Sequence, residues 1–556
     1  MEMKVVNGKT LAAMFVEGAH RLKANAARVD ALNVFPVPDG DTGTNMNLTM
    51  SSGVKEIEHA GLSHAGAAAK TFSKGLLMGA RGNSGVILSQ LFRGFAKGVE
   101  LEDELNGENT AKALQSGVDM AYQAVMKPVE GTILTVAKDA AKAAKKAASN
   151  SSGVEGVLNA AYEESQAALE RTQDQLPALK EAGVVDSGGQ GLVYIYQGML
   201  AYLRGEERPE IDEGQVLESE ENFDAAHQNL HDQLDPADIE YGYCTEFMVR
   251  LSEDSQPFDE HVFRRDIGRF GDSLLVVSDE DLVKVHIHAE HPGEAMTLAQ
   301  KHGSLMNIKI ENMREQHAAL NHRENQEEQP AEAPVVPEGA YGIVTVSMGD
   351  GIKALFQSLG ATQVIEGGQT MNPSTEDIVA AIEASTSETV FVFPNNSNIV
   401  MTAEQAAEVA DKDVRVIPSK SVPQGMAALF VYDSTLAADE LESTMNESLK
   451  EVRTGQVTWA VRDTSLNGRE INEGDFMAMV EKDIAATSPS LETAVLEFLP
   501  QLISEDVEIV TVLAGADADS AVTEAIKTYI EENYRDVELE VHEGGQPIYP
   551  YIFAAE

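Results

Sequence analysis

Apolar positions recur three and four residues apart through Leu11, Phe15, Ala19 and Leu22, which places one stripe of side chains on one helix face. The same texture continues to about residue 205. A second helix runs out through residues 71–79. Ala80-Arg81-Gly82-Asn83-Ser84-Gly85 leads into the apolar run 86–92, and an Ala-rich helix follows Pro128-Val129-Glu130-Gly131-Thr132. A last helix, entered through residues 185–191, ends near Arg204. Residues 206–235 are acidic and without period, a linker pattern. The period then changes to two: Tyr241, Tyr243, Thr245 and Phe247 alternate with Gly242, Cys244, Glu246 and Met248, as in a strand. In a second strand, 282–288, Val283, Val285 and Ile287 share one face while His286 and His288 share the other. Pro292-Gly293-Glu294-Ala295 opens a helix, so this segment reads as α+β. Residues 323–339 are a second linker, rich in Pro and Glu. From 340 onward strands (341–346, 389–393, 414–417, 507–513) alternate with helices, and Asn467-Gly468 marks a hairpin turn. That alternation predicts two α/β lobes with parallel sheets.

Composition narrows the partners. The 556 residues, enough for roughly three or four domains, include 91 acidic against 41 basic side chains, a formal net charge of -50. Such a surface repels nucleic acid and anionic membrane, so neither is expected as a partner. Any phosphate ligand must be neutralised locally by metal and backbone amides. A single cysteine excludes an internal disulfide and fits a reducing cytosol. With no signal-peptide pattern and no run of about 18 apolar residues, the expectation is a cytoplasmic protein without a transmembrane segment.

The densest chemistry lies in Asn33-Val34-Phe35-Pro36-Val37-Pro38-Asp39-Gly40-Asp41-Thr42-Gly43-Thr44-Asn45-Met46. Pro36 and Pro38 keep Phe35 and Val37 out of the helical region, and Gly40 and Gly43 leave bare amides. Asp39 and Asp41 can thereby aim at one hard cation. Magnesium takes one or two carboxylates and completes its octahedron with water and phosphate oxygens. The competing reading is an acidic β-turn. The glycines around Ser84 open a helix, which makes an anion-binding terminus or else a packing kink. With Pro128–Thr132 and Val185-Asp186-Ser187-Gly188-Gly189-Gln190-Gly191 they form three polar glycine loops in one helical domain, which suggests a shared site at one rim. Lys138, Lys142, Lys145 and Lys146 read as a solvated face.

In the middle segment, Cys244, His286 and His288 supply three zinc ligands if their strands are neighbours and Cys244 faces the histidines, a site with one open position; His291 or a nearby Asp or Glu could supply a fourth. The alternative is an inert cysteine near two surface histidines. Two further motifs fail. Gly8-Lys9-Thr10 is only the tail of a phosphate loop. Gly349-x-Gly351-x-x-Ala354 follows a strand, but tight turning explains it as well as dinucleotide binding does.

Asp39-Gly40-Asp41-Thr42-Gly43-Thr44-Asn45-Met46 resembles the metal loop of the DhaL subunit of dihydroxyacetone kinases, an all-helical barrel binding ADP through two magnesium ions. Together with Leu32-Asn33-Val34-Phe35-Pro36-Val37-Pro38-Asp39, residues 80–90 and residues 128–132, it resembles the bacterial fatty acid kinase A subunits, also described as DAK2-domain or YloV-like proteins. The last third looks like the two-lobed DegV fold, down to its end, Gly544-Gly545-Gln546-Pro547-Ile548-Tyr549-Pro550-Tyr551. The resemblance implies a multidomain chain. An all-α DhaL-like helical barrel would fill 1–205, an acidic linker 206–235, a small α+β middle domain 236–322, a linker 323–339, and a two-lobed α/β DegV-like domain 340–556.

It implies further that Asp39 and Asp41 bind magnesium. Val34 occupies the place of the third aspartate of DhaL subunits, for which Asn33 or Asp30 would substitute. Thr42, Gly43, Thr44, Asn45 and Met46 would lie near the nucleotide, with Arg81, Gly82, Asn83, Ser84 and Gly85, and Gly131, Thr132 and Asp186 around it. Cys244, His286 and His288 would form a metal centre, zinc by ligand type, that activity needs. The implied reaction is transfer of the γ-phosphoryl group of ATP to a fatty acid carboxylate presented by a separate acyl-binding protein of the DegV family, giving acyl-phosphate. The kinase chain itself is expected to form a homodimer. A carboxylate is ionised at neutral pH, and a loose anionic transition state needs positioning and charge neutralisation rather than a strong base. Two other readings stay open: a DhaL-like kinase for a small hydroxyl compound, and a nucleotide-sensing scaffold without turnover.

Overall fold

The computed structural model describes all residues except 1–2, 34–39, 59, 126, 151, 207–242, 252–257, 259, 279–281, 313–340, 369–370, 467–468 and 505. Both expected linkers fall largely outside the described residues. The chain divides into two compact units, 1–215 with 336–556, and 216–335. The helical domain and the C-terminal α/β domain therefore share one unit.

The N-terminal domain is built of α1 (Gly8–Lys23), α2 (Ala26–Asp30), α3 (Thr42–Glu58), α4 (Ala65–Met78), α5 (Gly82–Gly98), α6 (Gly107–Ala124), α7 (Ile133–Ser149), α8 (Val154–Gln175), α9 (Pro177–Ala182) and α10 (Ser187–Arg204). Two short strands, β1 (Val6–Asn7) and β2 (Glu104–Leu105), pair antiparallel beside them. The stripe Leu11, Phe15 and Leu22 is fully buried. At its centre Phe15 stacks on Phe72 at 4.5 Å and takes Phe92 and Phe95 edge-on at 5.3 and 5.9 Å, the arrangements aromatic quadrupoles prefer. Glycine lets helices touch backbone to backbone: a Cβ on Gly198 of α10 would stand 2.3 Å from the Glu17 carbonyl oxygen of α1. The polar run Thr42–Met46, expected as loop, is the first turn of α3. Its cap comes from Asp30, 13 residues away, whose Oδ1 accepts from the Gly43 amide at 2.6 Å.

The second unit contains β3 (Tyr243–Leu251), α11 (Glu260–Ile267), β4 (Gly271–Ser278), β5 (Leu282–Ala289), α12 (Pro292–Ala299) and β6 (Gly303–Asn312). Its sheet runs β4-β5-β3-β6, antiparallel throughout. Val283, Val285 and Ile287 are buried against Phe263, Ile267, Ala295 and Ala299, so α+β is the class observed.

In the C-terminal domain β7 (Gly342–Ser347), α13 (Asp350–Ser358), β8 (Gln363–Glu366), α14 (Thr375–Ala384), β9 (Thr389–Phe393), α15 (Val400–Val409) and β10 (Asp413–Val416) form a parallel sheet in the order β10-β9-β7-β8. α16 (Val422–Phe430) and α17 (Ala438–Ser448) lead to a second lobe. That lobe comprises β11 (Arg453–Trp459), β12 (Thr464–Leu466), β13 (Arg469–Ile471), β14 (Phe476–Val480), β15 (Asp483–Ser488), α18 (Leu491–Leu502), β16 (Ile509–Ala514), α19 (Ser520–Asn533), β17 (Glu538–Glu543) and β18 (Tyr551–Ala555).

The larger sheet of this lobe, β15-β14-β11-β18-β16-β17, corrects the parallel expectation: β16 and β17 alone pair parallel. β11, β14 and β15 follow one another with no intervening helix, and direct returns give antiparallel neighbours, whereas β16-α19-β17 is a helical crossover. In the small hairpin Leu466 lies opposite Arg469; Asn467 and Gly468 lie outside the described residues. Gly349 and Gly351 serve packing between the lobes, since a Cβ on Gly351 would stand 1.7 Å from the Glu543 carbonyl oxygen.

The first lobe packs on the helical domain through a polar seam. Gln405, 4% exposed, donates to the Leu77 carbonyl at 2.7 Å and Thr375 Oγ1 at 2.9 Å, and accepts from Ser89 Oγ at 3.2 Å and Gln90 Nε2 at 3.1 Å. The Thr375 amide donates to the Ala80 carbonyl at 3.2 Å. Truncation Gln405→Ala leaves several buried groups unpaired, each costing about 1–3 kcal/mol. Amide exchange at residues 374–377 and in the first turns of α5 should therefore accelerate at least tenfold, while the Phe15 core stays protected. Unaltered exchange along the seam would contradict this account.

Candidate nucleotide and metal site

Helix starts gather at one rim of the helical domain. Asp41 immediately precedes α3. Asp30 takes the Thr44 amide at 3.3 Å and the Thr44 hydroxyl at 2.9 Å as well as the Gly43 amide. Asn33 Oδ1 accepts from Thr42 Oγ1 at 2.8 Å and from Ser187 Oγ, at the start of α10, at 3.5 Å. Gly82, the first residue of α5, has φ +58, and a Cβ there would stand 2.8 Å from Asn45 Nδ2 in α3. Asp186 caps α10 through the Gly189 amide at 2.7 Å and also accepts from the Ile133 amide that begins α7. The glycine loops thus open α3, α5, α7 and α10 on a connected surface, where Asp30 and Asp186 take first-turn amides of α3, α7 and α10 and the positive dipole ends lie together.

The expected site residues separate on this rim. Asp39 lies outside the described residues. Asp41 Oδ2 accepts from Nδ2 of Asn372, a C-terminal-domain residue, at 2.5 Å. Thr42 faces Asn33, Gly43 packs on the Ala26 carbonyl, Thr44 is held by Asp30, and Asn45 is buried beneath Gly82. Met46 is a correction: it is fully buried in the helical core, against Gly191, because it falls on the inner face of α3. The Arg81 guanidinium donates to the Asn372 carbonyl at 2.8 Å and lies 3.5 Å from Asp377, so it reaches from this rim to the α/β domain.

Asn83 Nδ2 donates to the Ser397 carbonyl at 3.3 Å, and Ser84 and Gly85 complete the first turn of α5. Gly131 (φ +87) donates its amide to Thr135 Oγ1 at 2.8 Å, and Thr132 caps α7. Lys138 departs from the solvated stripe: its Nζ lies 2.6 Å from Glu130 and fastens this loop, while Lys142, Lys145 and Lys146 are exposed.

Burial raises Asp30 above the usual carboxylate range, although its bonds to Thr44 and Gly43 lower it. Burial pushes Asp186 up to about 6, against the lowering effect of the Gly189 and Ile133 amides. Among the described residues no three His, Cys, Asp or Glu side chains cluster as a metal cage. A magnesium ion needs one or two carboxylates and otherwise water and phosphate; the Asp41 carboxylate on this rim fits that donor set, and unoccupied first-turn amides suit the phosphate rather than the ion.

In the second unit Cys244 lies directly across from His288, and Glu246 across from His286, in the β3–β5 register. The side chains of Cys244, His286 and His288 lie outside the described residues. Sequence reasoning missed Asn372, Asp377 and Gln405. It also missed Arg462, which donates to the carbonyls of Ala31 and Asn33 just ahead of the aspartate loop. These contacts join positions hundreds of residues apart, and no local pattern announces them.

The DAK2 domain model matches residues 36–201, and the FakA-like middle and C-terminal models, those of fatty acid kinase A-subunit-like proteins, match residues 240–320 and 342–556. The chain is 52% identical over 559 residues to protein YloV of Bacillus subtilis (strain 168), covering 100% of both. It is 50% identical over 555 residues to an uncharacterized protein of Staphylococcus aureus (strain USA300), covering 99% of each. A crystal structure of the dihydroxyacetone kinase of C. freundii in complex with AMP-PNP and Mg2+ is 22% identical, with a TM-score of 0.29, over 36% of this chain and 35% of that one. The chain belongs to the FakA-like family of fatty acid kinase subunits. Its domains are those of such a kinase: a helical DAK2 domain, a small middle domain and an α/β C-terminal domain. No described helix is long and apolar enough to cross a membrane.

Asp186 yields a pH prediction. Its folded pKa of about 6 stands above the ordinary 3.8, so the stability it contributes is fully present below 3.8 and is lost as pH rises through 6. Asp186→Asn keeps a capping oxygen without titrating. The stability difference, variant minus wild type, should move in favour of the variant by about 1 kcal/mol between pH 5 and 7, a few degrees of Tm by calorimetry. A difference independent of pH would refute the shift.

Proposed function

We propose that this chain is the ATP-binding subunit of a fatty acid kinase. In this reading it transfers the γ-phosphoryl group of ATP to a fatty acid carboxylate held by a separate acyl-binding protein of the DegV family. The observation that carries the reading is the gathering of four helix starts on the rim that carries Asp41 in a chain of net charge -50.

Asp39 and Asp41 would hold magnesium, probed first as a single ion and then as the pair that the resemblance implies. Bound there, magnesium would neutralise charge on the β- and γ-phosphate oxygens. Asn33 or Asp30 would be the third donor: Asn33 Oδ1 accepts from Thr42 and Ser187 on the rim, and the Asp30 carboxylate from Gly43 and Thr44. First-turn amides of α5 would orient the phosphates. The acyl carboxylate oxygen bonds to phosphorus as the bond to the β,γ-bridging oxygen breaks, and ADP departs with that electron pair. No proton has to move. In the middle domain Cys244, His286 and His288 would hold zinc, a reading supported by the Cys244–His288 register; zinc there would supply a Lewis-acid centre.

The purified chain, incubated with ATP, magnesium, fatty acid and a loaded carrier, should form acyl-phosphate, trapped by hydroxylamine as the hydroxamate. Asp41→Asn should lower that rate by about 10²–10³-fold with helix content intact. A wild-type chain that consumes no ATP in the presence of loaded carrier overturns the kinase reading.

A further inference from the structure

Asn372 is 2% exposed and sits between the two domains. Its carbonyl oxygen accepts from Arg81 and its Nδ2 meets Asp41 Oδ2. Its Oδ1 is buried with no hydrogen-bond partner, as is Oδ1 of Asn83 beside Gly82. A Cβ on Gly82 would stand 2.8 Å from Asn45 Nδ2 and 3.6 Å from Asn372 Nδ2, so Asp41, Asn45 and Asn372 converge on one point of the rim.

A buried amide oxygen without a partner is costly. The two ends of the amide are nearly the same size, so half a turn about the terminal bond brings Oδ1 to the place of Nδ2. Two oxygens facing each other at such range repel unless a cation lies between them. A hard divalent ion accepts a carboxylate and an amide oxygen in the same shell. After that turn Oδ1 and Asp41 Oδ2 face the same point, where a cation would hold both.

We propose that Asn372 completes the divalent-cation site of the helical domain, lending its side-chain oxygen to the ion held by Asp41, so that nucleotide binding draws on both domains. Arg81 and Asp377 position Asn372 for this role. The proposal rests on the kinase reading above.

The test is calorimetric titration of the full chain with ADP, with magnesium and with EDTA. Wild type should bind ADP in a magnesium-dependent way. Asn372→Ala should lose about 10–100-fold of that magnesium-dependent affinity, the range seen when a partner of a metal site is removed, with binding in EDTA unchanged. Asn372→Asp, which restores an oxygen, should recover affinity. Its Tm should lie below wild type in EDTA, where two carboxylates face each other, and rise more than wild type when magnesium is added. Asn372→Ala binding magnesium–ADP as well as or better than wild type would overturn the proposal and make Asn372 a plug. An Asn372→Asp variant that neither recovers affinity nor responds to magnesium would overturn it too. Wild type that ignores ADP with magnesium present defeats the kinase reading itself, a separate result.

Discussion

Close approach of helix starts at one rim is the constraint around which the helical domain is arranged. The lysines of α7 stand apart from it, since they bind Glu130 and Asp139 or face solvent. The first turn of every helix leaves backbone donors without intrahelical partners, and here Asp30 and Asp186 take several of them. Bringing such turns together requires close backbone approach, which explains the small residues at the contacts. Gly43 meets Ala26, Gly82 meets Asn45, and Gly85 meets Thr49 at distances no Cβ would tolerate. The acidic side chains of the rim then divide their labour. Asp30 and Asp186 are turned inward as caps, which rigidifies the starts of α3 and α10 and leaves Asp41 at the mouth.

The α/β domain is built over that mouth. Gln405 gathers donors and acceptors from α4, α5 and α14, Arg81 is engaged from the far side, and Arg462 grips the backbone ahead of the aspartate loop. The seam is polar, specific and largely sealed from water. Buried hydrogen bonds of this kind define one arrangement more than they add stability, because each unpaired group is penalised when the surfaces separate. A shift of the loops at the rim is thereby opposed by the α/β domain as well as by the helices that carry them.

Much of this was legible in sequence. The Leu11 stripe, the change to period two at Tyr241, and the strands at 341–346 and 389–393 each gave the right element, because apolar periodicity reflects burial directly. The condition that the Cys244 and His288 strands be neighbours is met as well. Where reading failed, the deciding partner was remote. The start of α3 depends on a carboxylate from α2, so Thr42–Met46 looked like loop. Met46 belongs to the motif by position, yet it points into the core, and linear order carries no direction. The second lobe alternates strands and helices too weakly to reveal that β11, β14 and β15 turn back on themselves.

The aspartate count of the loop shows how a local rule can bend without losing its physics. A third carboxylate beside Asp39 and Asp41 would add negative charge to a chain already at -50, and the phosphates would feel it. An amide oxygen offers a hard cation a ligand without that charge. Asn33 stands where such an oxygen is useful, fixed by Asp30 on one side and Thr42 on the other. Asp30 keeps a carboxylate, but burial favours its neutral form and its oxygens serve the helix. Asp30 is thus turned inward, and Asn33 presents an oxygen to the rim without adding charge.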